Sequence, residues 1–218
     1  MQKSLLFIAA TLASLACQAE TVKGNGKLAE QNRQLGDFQA IRSEGAWNLD
    51  VSIGAAPSIR IKADENLLPV IETLVEANQL VIRFKDRQDV HVKNTNSLKI
   101  EVTVPELRAY SHAGVGKTAF HGLKGEKFSV NYMGAGLVSG TGKVDKFDVV
   151  AKGTGALDFS ALKSREAVVG LSGVGSVSVY ASDSLSAKVD GIGSLTYYGN
   201  PGKISKTVSG IGVVRSGD

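Results

Sequence analysis

The sequence predicts an all-β protein whose second half is a parallel β-solenoid, and three observations carry that reading. Six Gly-x-Gly triplets begin at Gly114, Gly134, Gly153, Gly173, Gly191 and Gly210, in steps of 20, 19, 20, 18 and 19 residues. A fixed period of this size marks stacked supersecondary units. Alternate positions around each triplet are apolar, which is the period-two pattern of a strand with one buried face. The position eight residues after the first glycine is small in the first five triplets: Gly122, Gly142, Ala161, Ala181 and Gly199. Each repeat of about 19 residues therefore has two strands and two corners, the content of one rung. Rungs stack at the inter-strand distance of about 4.8 Å, each satisfying the backbone of the next. An antiparallel meander or sandwich with glycine-rich turns is the alternative that this alternation leaves open.

In chain order, the first element is a leader. Lys3 precedes an apolar run from Leu5 to Ala16 and then small residues, the layout of a signal peptide over residues 1–19 with cleavage after Ala19. The rival reading makes Cys17 the lipidated first residue of a lipoprotein, but Ser14 stands where a lipobox places Leu. The apolar run is too short to span a membrane, and no later segment resembles a span. Cys17 is the single cysteine, so a chain starting at Glu20 has no thiol or disulfide chemistry. Residues 20–218 are read as one domain.

Its first part, residues 20–105, reads as an irregular β segment. Residues 20–37 are polar, with a turn at Gly24-Asn25-Gly26. Strands are expected at Phe38–Ser43, Trp47–Ile53 and Ser58–Ala63, with Trp47 in the core. Asp64-Glu65-Asn66-Leu67-Leu68-Pro69 and Val70–Glu76 suggest at most one short helix near 64–76, with Asp64 as its N-cap. Alternation resumes at Gln79–Lys85 and Leu98–Val104, around a polar loop Asp86–Asn96, and Pro105 closes the segment.

Residues 106–218 form about six rungs. Six residues before the first glycine stand Phe128, Phe147, Ala167, Leu185 and Ile204, and four after it Thr118, Val138, Leu157, Val177, Leu195 and Val214. These columns should face inward. The middle residues of the triplets, Val115, Ala135, Thr154, Val174, Ile192 and Ile211, are mainly apolar. An exposed apolar column is an aggregation hazard, so the triplet is expected to be a corner that turns them back toward the core. The last rung has no capping element after it, which makes self-association through that rung an expectation.

The chain resembles the GIN domain of putative auto-transporter adhesin heads. The resemblance rests on Phe38-Gln39-Ala40-Ile41 followed by Gly45, on Asp64-Glu65-Asn66-Leu67-Leu68 before Leu80-Val81-Ile82, and on the triplet ladder ending in Ser209-Gly210-Ile211-Gly212. It implies a right-handed parallel β-helix-like fold in the bacterial envelope and an adhesion-type role, with no catalytic residues to carry over. The weak lipobox departs from the many relatives that look like lipoproteins. No membrane-embedded translocator is visible.

The residues that could carry chemistry are few. The formal charge is +4, from 25 basic and 21 acidic residues, and without Lys3 it is +3 (24 against 21). Signs are interleaved, with no basic run for nucleic acid. His112 should face inward and His121 outward, while His91 follows Asp89 in a loop, so no metal spacing arises. A β-helix enzyme acting on polysaccharide needs converging carboxylates. Here Asp158 has Ser139 and Ser178 above and below, and Asp148 lies near Ser129 and Val168. Gly170-Leu171-Ser172-Gly173 lacks the strand-turn-helix setting of a nucleophile elbow, and the triplets are followed by no helix that could hold phosphate. No catalytic, metal or cofactor residue is assigned. The one candidate contact surface is the pair Tyr180 and Tyr198, one rung apart seven residues after their glycines. Adjacent aromatics anchor sugars or protein partners, although stacked tyrosines also simply stabilise a ladder. The sequence thus suggests a non-enzymatic exported module with an envelope-protein or glycan partner, against the alternatives of a carbohydrate-active enzyme or a structural envelope protein.

Overall fold

The computed structural model describes residues 22–85, 90–91 and 98–218. The leader with Cys17 and Ala19 lies outside them, as does most of the 86–96 loop. The chain forms a β-solenoid with rungs of roughly 20 residues. The strand pairs of the repeats are parallel and in register, Phe128 with Phe147 and Leu185 with Ile204, so the meander is excluded.

Each rung has two walls. The leading wall precedes the glycine triplet and the trailing wall follows it, and the strands Ala109–Tyr132 and Ala135–Ala151 bend continuously round both. In the leading wall, residues of Ala135–Ala151, Leu162–Leu171, Ser184–Val189 and Lys203–Val208 stack in turn. In the trailing wall the order is Ala135–Ala151, Thr154–Phe159, Val174–Tyr180, Ile192–Tyr198 and Ile211–Ser216. The inward columns interdigitate. Phe120, Phe128, Phe147 and Phe159 form a continuous aromatic run, with Phe147 and Phe159 centroids 4.6 Å apart, and all four are at most 1 % exposed.

The segment before residue 106 belongs to the same stack, but out of chain order. Ala40–Ala46 pairs parallel with Ala109–Val115, and Gln79–Phe84 pairs parallel with Ala40–Ala46 on its other side. Lys99–Val104 lies likewise beneath Asn48–Ile53. Gly45 pairs with Gly114, which makes Gly45-Ala46-Trp47 the foot of the triplet ladder. Trp47 is buried as expected. Its indole donates to Ser43 Oγ at 2.9 Å and meets Phe84 edge-on at 5.1 Å.

Antiparallel pairs close this end of the solenoid: Ile71–Glu76 on the leading wall, Ser58–Asp64 and Leu28–Arg33 on the trailing wall. Arg33 ties the two caps together, donating to the carbonyls of Ile71 and Leu68, both at 2.7 Å, and to Thr73 Oγ1. The short helix reduces to a 3₁₀ turn, Leu68–Val70, because Pro69 allows nothing longer and the following residues are recruited as a strand. Asp64 is not its N-cap. Its carboxylate accepts from Gly26 N at 3.1 Å, and Asn66 accepts from Asn25 N, so this motif pins the first turn of the domain.

The triplet corners also differ from expectation. Val115, Val174, Ile192 and Ile211 point outward and are 49–77 % exposed. The glycines serve stacking: a Cβ on Gly155 would lie 1.9 Å from the Gly136 carbonyl oxygen of the rung below, and one on Gly173 1.9 Å from that of Gly153. Both glycine Cα atoms face along the solenoid axis, which leaves the middle side chain no direction but out.

Candidate functional site

The two outer faces of the solenoid differ in chemistry. On the leading wall, charged side chains reach from rung to rung, as in Lys127–Asp148, Lys146–Glu166 and Arg165–Asp183. Such exposed pairs add little stability but keep that wall hydrated. The trailing wall is different. Its outward positions in four successive rungs are Leu137, Ser139 and Thr141; Ala156, Asp158 and Ser160; Ser176, Ser178 and Tyr180; Ser194, Thr196 and Tyr198. Asp158 is the only ionised residue among them.

The lower part of this wall is recessed into a groove of about 400 Å³. Ala119, Ser139 and Ala156 form its floor, Leu137 projects from it, and Asn48, Asp50, Lys99, Lys117 and Asp158 stand around it. The recess follows from the small side chains at the floor. Most of the polar groups are committed. Asp50 Oδ1 lies 3.2 Å from His121 Nε2, and Asp50 Oδ2 lies 4.0 Å from Lys99. Lys99 Nζ bonds Glu101 at 2.7 Å; that contact raises the lysine above its ordinary pKa and holds the glutamate below its own. Asp158, which is exposed, accepts at Oδ1 from both Ser160 N and Ser160 Oγ.

Tyr180 and Tyr198 stand in register at the far rim, as their spacing suggests. Both are half-buried. Lys163 Nζ lies 3.7 Å from the Tyr180 ring centroid, and the Tyr180 and Tyr198 rings pack against Gly199 and Gly217. Their phenol oxygens make no hydrogen bond among the described residues. Tyr180 is diagonal to Asp158, whose register partner is Ser178, so the pair continues the groove rather than forming a separate patch. Sequence reasoning identified the tyrosine column but not the Ala/Ser floor. The signal was there in the columns three and five residues after each glycine.

The histidines do not meet. His112 is 3 % exposed and stacks between Tyr110 and Tyr132, and burial lowers its pKa, partly offset by the backbone of Gly114 and Ser43. His121 faces out toward Asp50. The side chain of His91 lies outside the described residues. Among these residues no three His, Cys, Asp or Glu gather as metal ligands, and no helix is long and apolar enough to cross a membrane. Asp148 has Ser129 and Val168 as register partners, and Asp158 has Ser139 and Ser178, so neither column forms an acidic ledge.

Residues 37–201 match the family described as "Putative auto-transporter adhesin, head GIN domain". Solved structures share the fold. A putative adhesin from Bacteroides fragilis superposes with a TM-score of 0.71 at 21% identity, over 89% of this chain and 99% of that one. A putative adhesin from Parabacteroides merdae gives 0.56 at 20% identity, over 92% and 100%. A protein from Parabacteroides distasonis named a putative lipid binding protein gives 0.53 at 22% identity, over 91% and 100%. No curated protein matches the chain.

Proposed function

Because the chain belongs to the family of putative auto-transporter adhesin head GIN domains, we propose that it is a non-enzymatic, exported envelope or surface module that works by binding a macromolecule or glycan. The observation that carries this reading is the contrast between walls: one charged and laced by ion pairs, the other nearly uncharged across four rungs and bounded by Tyr180 and Tyr198. A face so large that carries a single ionised side chain, Asp158, suits contact rather than solvation. Asp158 stands three register steps from Asp50 along this face, about 14 Å, and the Asp50–Glu101 pair at its edge is engaged by Lys99, which supports binding over glycoside hydrolysis.

Export is read from the leader, with cleavage after Ala19 favoured over lipidation of Cys17. Fractionation of bacteria producing the full chain tests this, together with crosslinking from a cysteine placed at Ser178. The expected result is an envelope-located protein whose crosslinks run through the trailing wall. Retention in the cytoplasm would overturn export, and turnover of a polysaccharide panel would overturn the non-enzymatic reading.

The last rung supports a second contact. Among the described residues, Lys203–Val208 and Ile211–Ser216 each pair on one side only, and Ile204 and Val208, which belong to inward columns, are each 44 % exposed. Such an edge is a template for a strand of a second copy. Lys206 stands in the same column with its ammonium 3.0 Å from Tyr197 Oη and over that ring, and so opposes pairing.

A further inference from the structure

We infer that the trailing wall, from the Ala119–Ala156 floor to Tyr180 and Tyr198, binds a neutral glycan chain laid along the solenoid axis. The inference rests on the binding-module reading and supplies its ligand class. Strands Asn48–Ile53 to Ile192–Tyr198 are separated by five inter-strand steps, so the face is roughly 24 Å long. That is room for several pyranose units, and the groove volume lies in the range of ligand sites.

The chemistry of the face selects the occupant. A pyranose presents C–H faces and a rim of hydroxyls. Ala119 and Ala156 offer a shallow apolar floor, Ser178 and Thr196 offer hydroxyls, and the exposed carboxylate of Asp158 accepts hydrogen bonds from sugar hydroxyls, which are strong when the acceptor is ionised. The tyrosines add aromatic surface and two unengaged phenols at the rim. An acidic glycan fits worse, since Lys99 is already bonded to Glu101 and the other lysine at the groove, Lys117, is opposed by two carboxylates, Asp50 and Asp158. Peptide strand addition has nothing to add to, because every strand beneath this face is hydrogen-bonded on both sides.

The test titrates the ¹⁵N-labelled mature chain with cellohexaose, chitohexaose and maltohexaose, and in parallel with polygalacturonate, heparin and phosphatidylcholine vesicles. At least one neutral hexamer is expected to give saturable shifts confined to the trailing wall. Ala156→Arg and, separately, Ser178→Arg should weaken it at least tenfold with an unchanged unfolding midpoint. Both sites point outward, and either variant alone suffices should the other fail to fold. Absence of saturable shifts with all three hexamers overturns the inference. So does tighter binding of the acidic polymers or vesicles, or binding that survives both substitutions. Attachment of the protein to cell surfaces is measured beside it: attachment unaffected by Ala156→Arg would leave the adhesion-type reading standing while removing the glycan face.

Discussion

Replacing Gly155 with alanine puts the ladder to the test at one atom. Gly155 has φ +146° and its added Cβ would lie 1.9 Å from the Gly136 carbonyl oxygen and 2.9 Å from the carbonyl carbon. A carbon–oxygen contact needs about 3.3 Å, so the rungs must part by roughly 1.4 Å at this corner. That opens Thr154 N to Gly134 O (2.9 Å) and the next ladder bond between Ala135–Ala151 and Thr154–Phe159, at about 1 kcal/mol each. The backbone conformation adds about 1–3 kcal/mol for a residue with a side chain. Together the loss is about 3–5 kcal/mol, a large part of the 5–15 kcal/mol typical of a whole domain. Equilibrium urea unfolding of the mature chain reads it as a lower midpoint at an unchanged slope. Val174→Thr is the control: its side chain is 49 % exposed at the middle of a triplet, so the change should stay within about 0.5 kcal/mol. A loss under about 1 kcal/mol for Gly155→Ala, or an equal loss for the control, would refute the axial-approach explanation of the glycines.

Three further outcomes are expected. Burial lowers the folded-state pKa of His112 below the ordinary histidine value of 6.5, so the unfolded chain takes up a proton first as pH falls. The stability contributed by the neutral imidazole is present above that value and is lost as pH drops from it toward the folded pKa. His112→Phe should flatten this slope in unfolding midpoints measured from pH 8 to pH 5, and an unchanged slope would contradict it. Arg33→Met removes three hydrogen bonds between the antiparallel caps. It should cost about 2 kcal/mol and speed amide exchange in Leu28–Arg33 more than in the rungs; uniform exchange would contradict the cap role. Lys206→Leu should raise self-association in sedimentation at high micromolar concentration, and adding Val208→Pro should reverse it by deleting a ladder donor. A Lys206→Leu protein that stays monomeric would remove the case for pairing at the last rung.

How much was legible in the sequence depended on whether the pattern was local. Phe128, Phe147 and the column four residues after each glycine announce parallel rungs because like residues at a fixed period must lie over one another once the backbone stacks, and register then follows from side-chain alternation. His112 inside, His121 outside and the in-register tyrosines follow from the same count. Asp64 misled, since the residue type that caps a helix also accepts hydrogen bonds from any nearby turn, and here Gly26 N was nearer in space. The outward Val174 and Ile192 misled for a related reason. Avoidance of exposed aliphatics is a statistical preference, whereas the contact of a glycine Cα with the carbonyl of the rung below is steric and prevails. The sequence by itself determined the rung, its length and its inward columns. The tertiary structure alone decided that Ala40–Ala46 lies between Gln79–Phe84 and Ala109–Val115 in the stack, that antiparallel strands close one end, and that the uncharged columns of four rungs align into one face beside Asp50 and Lys99. Those are pairings between segments tens of residues apart, chosen by the hydrogen-bonding edge and apolar surface each segment leaves open, and no local period encodes that choice.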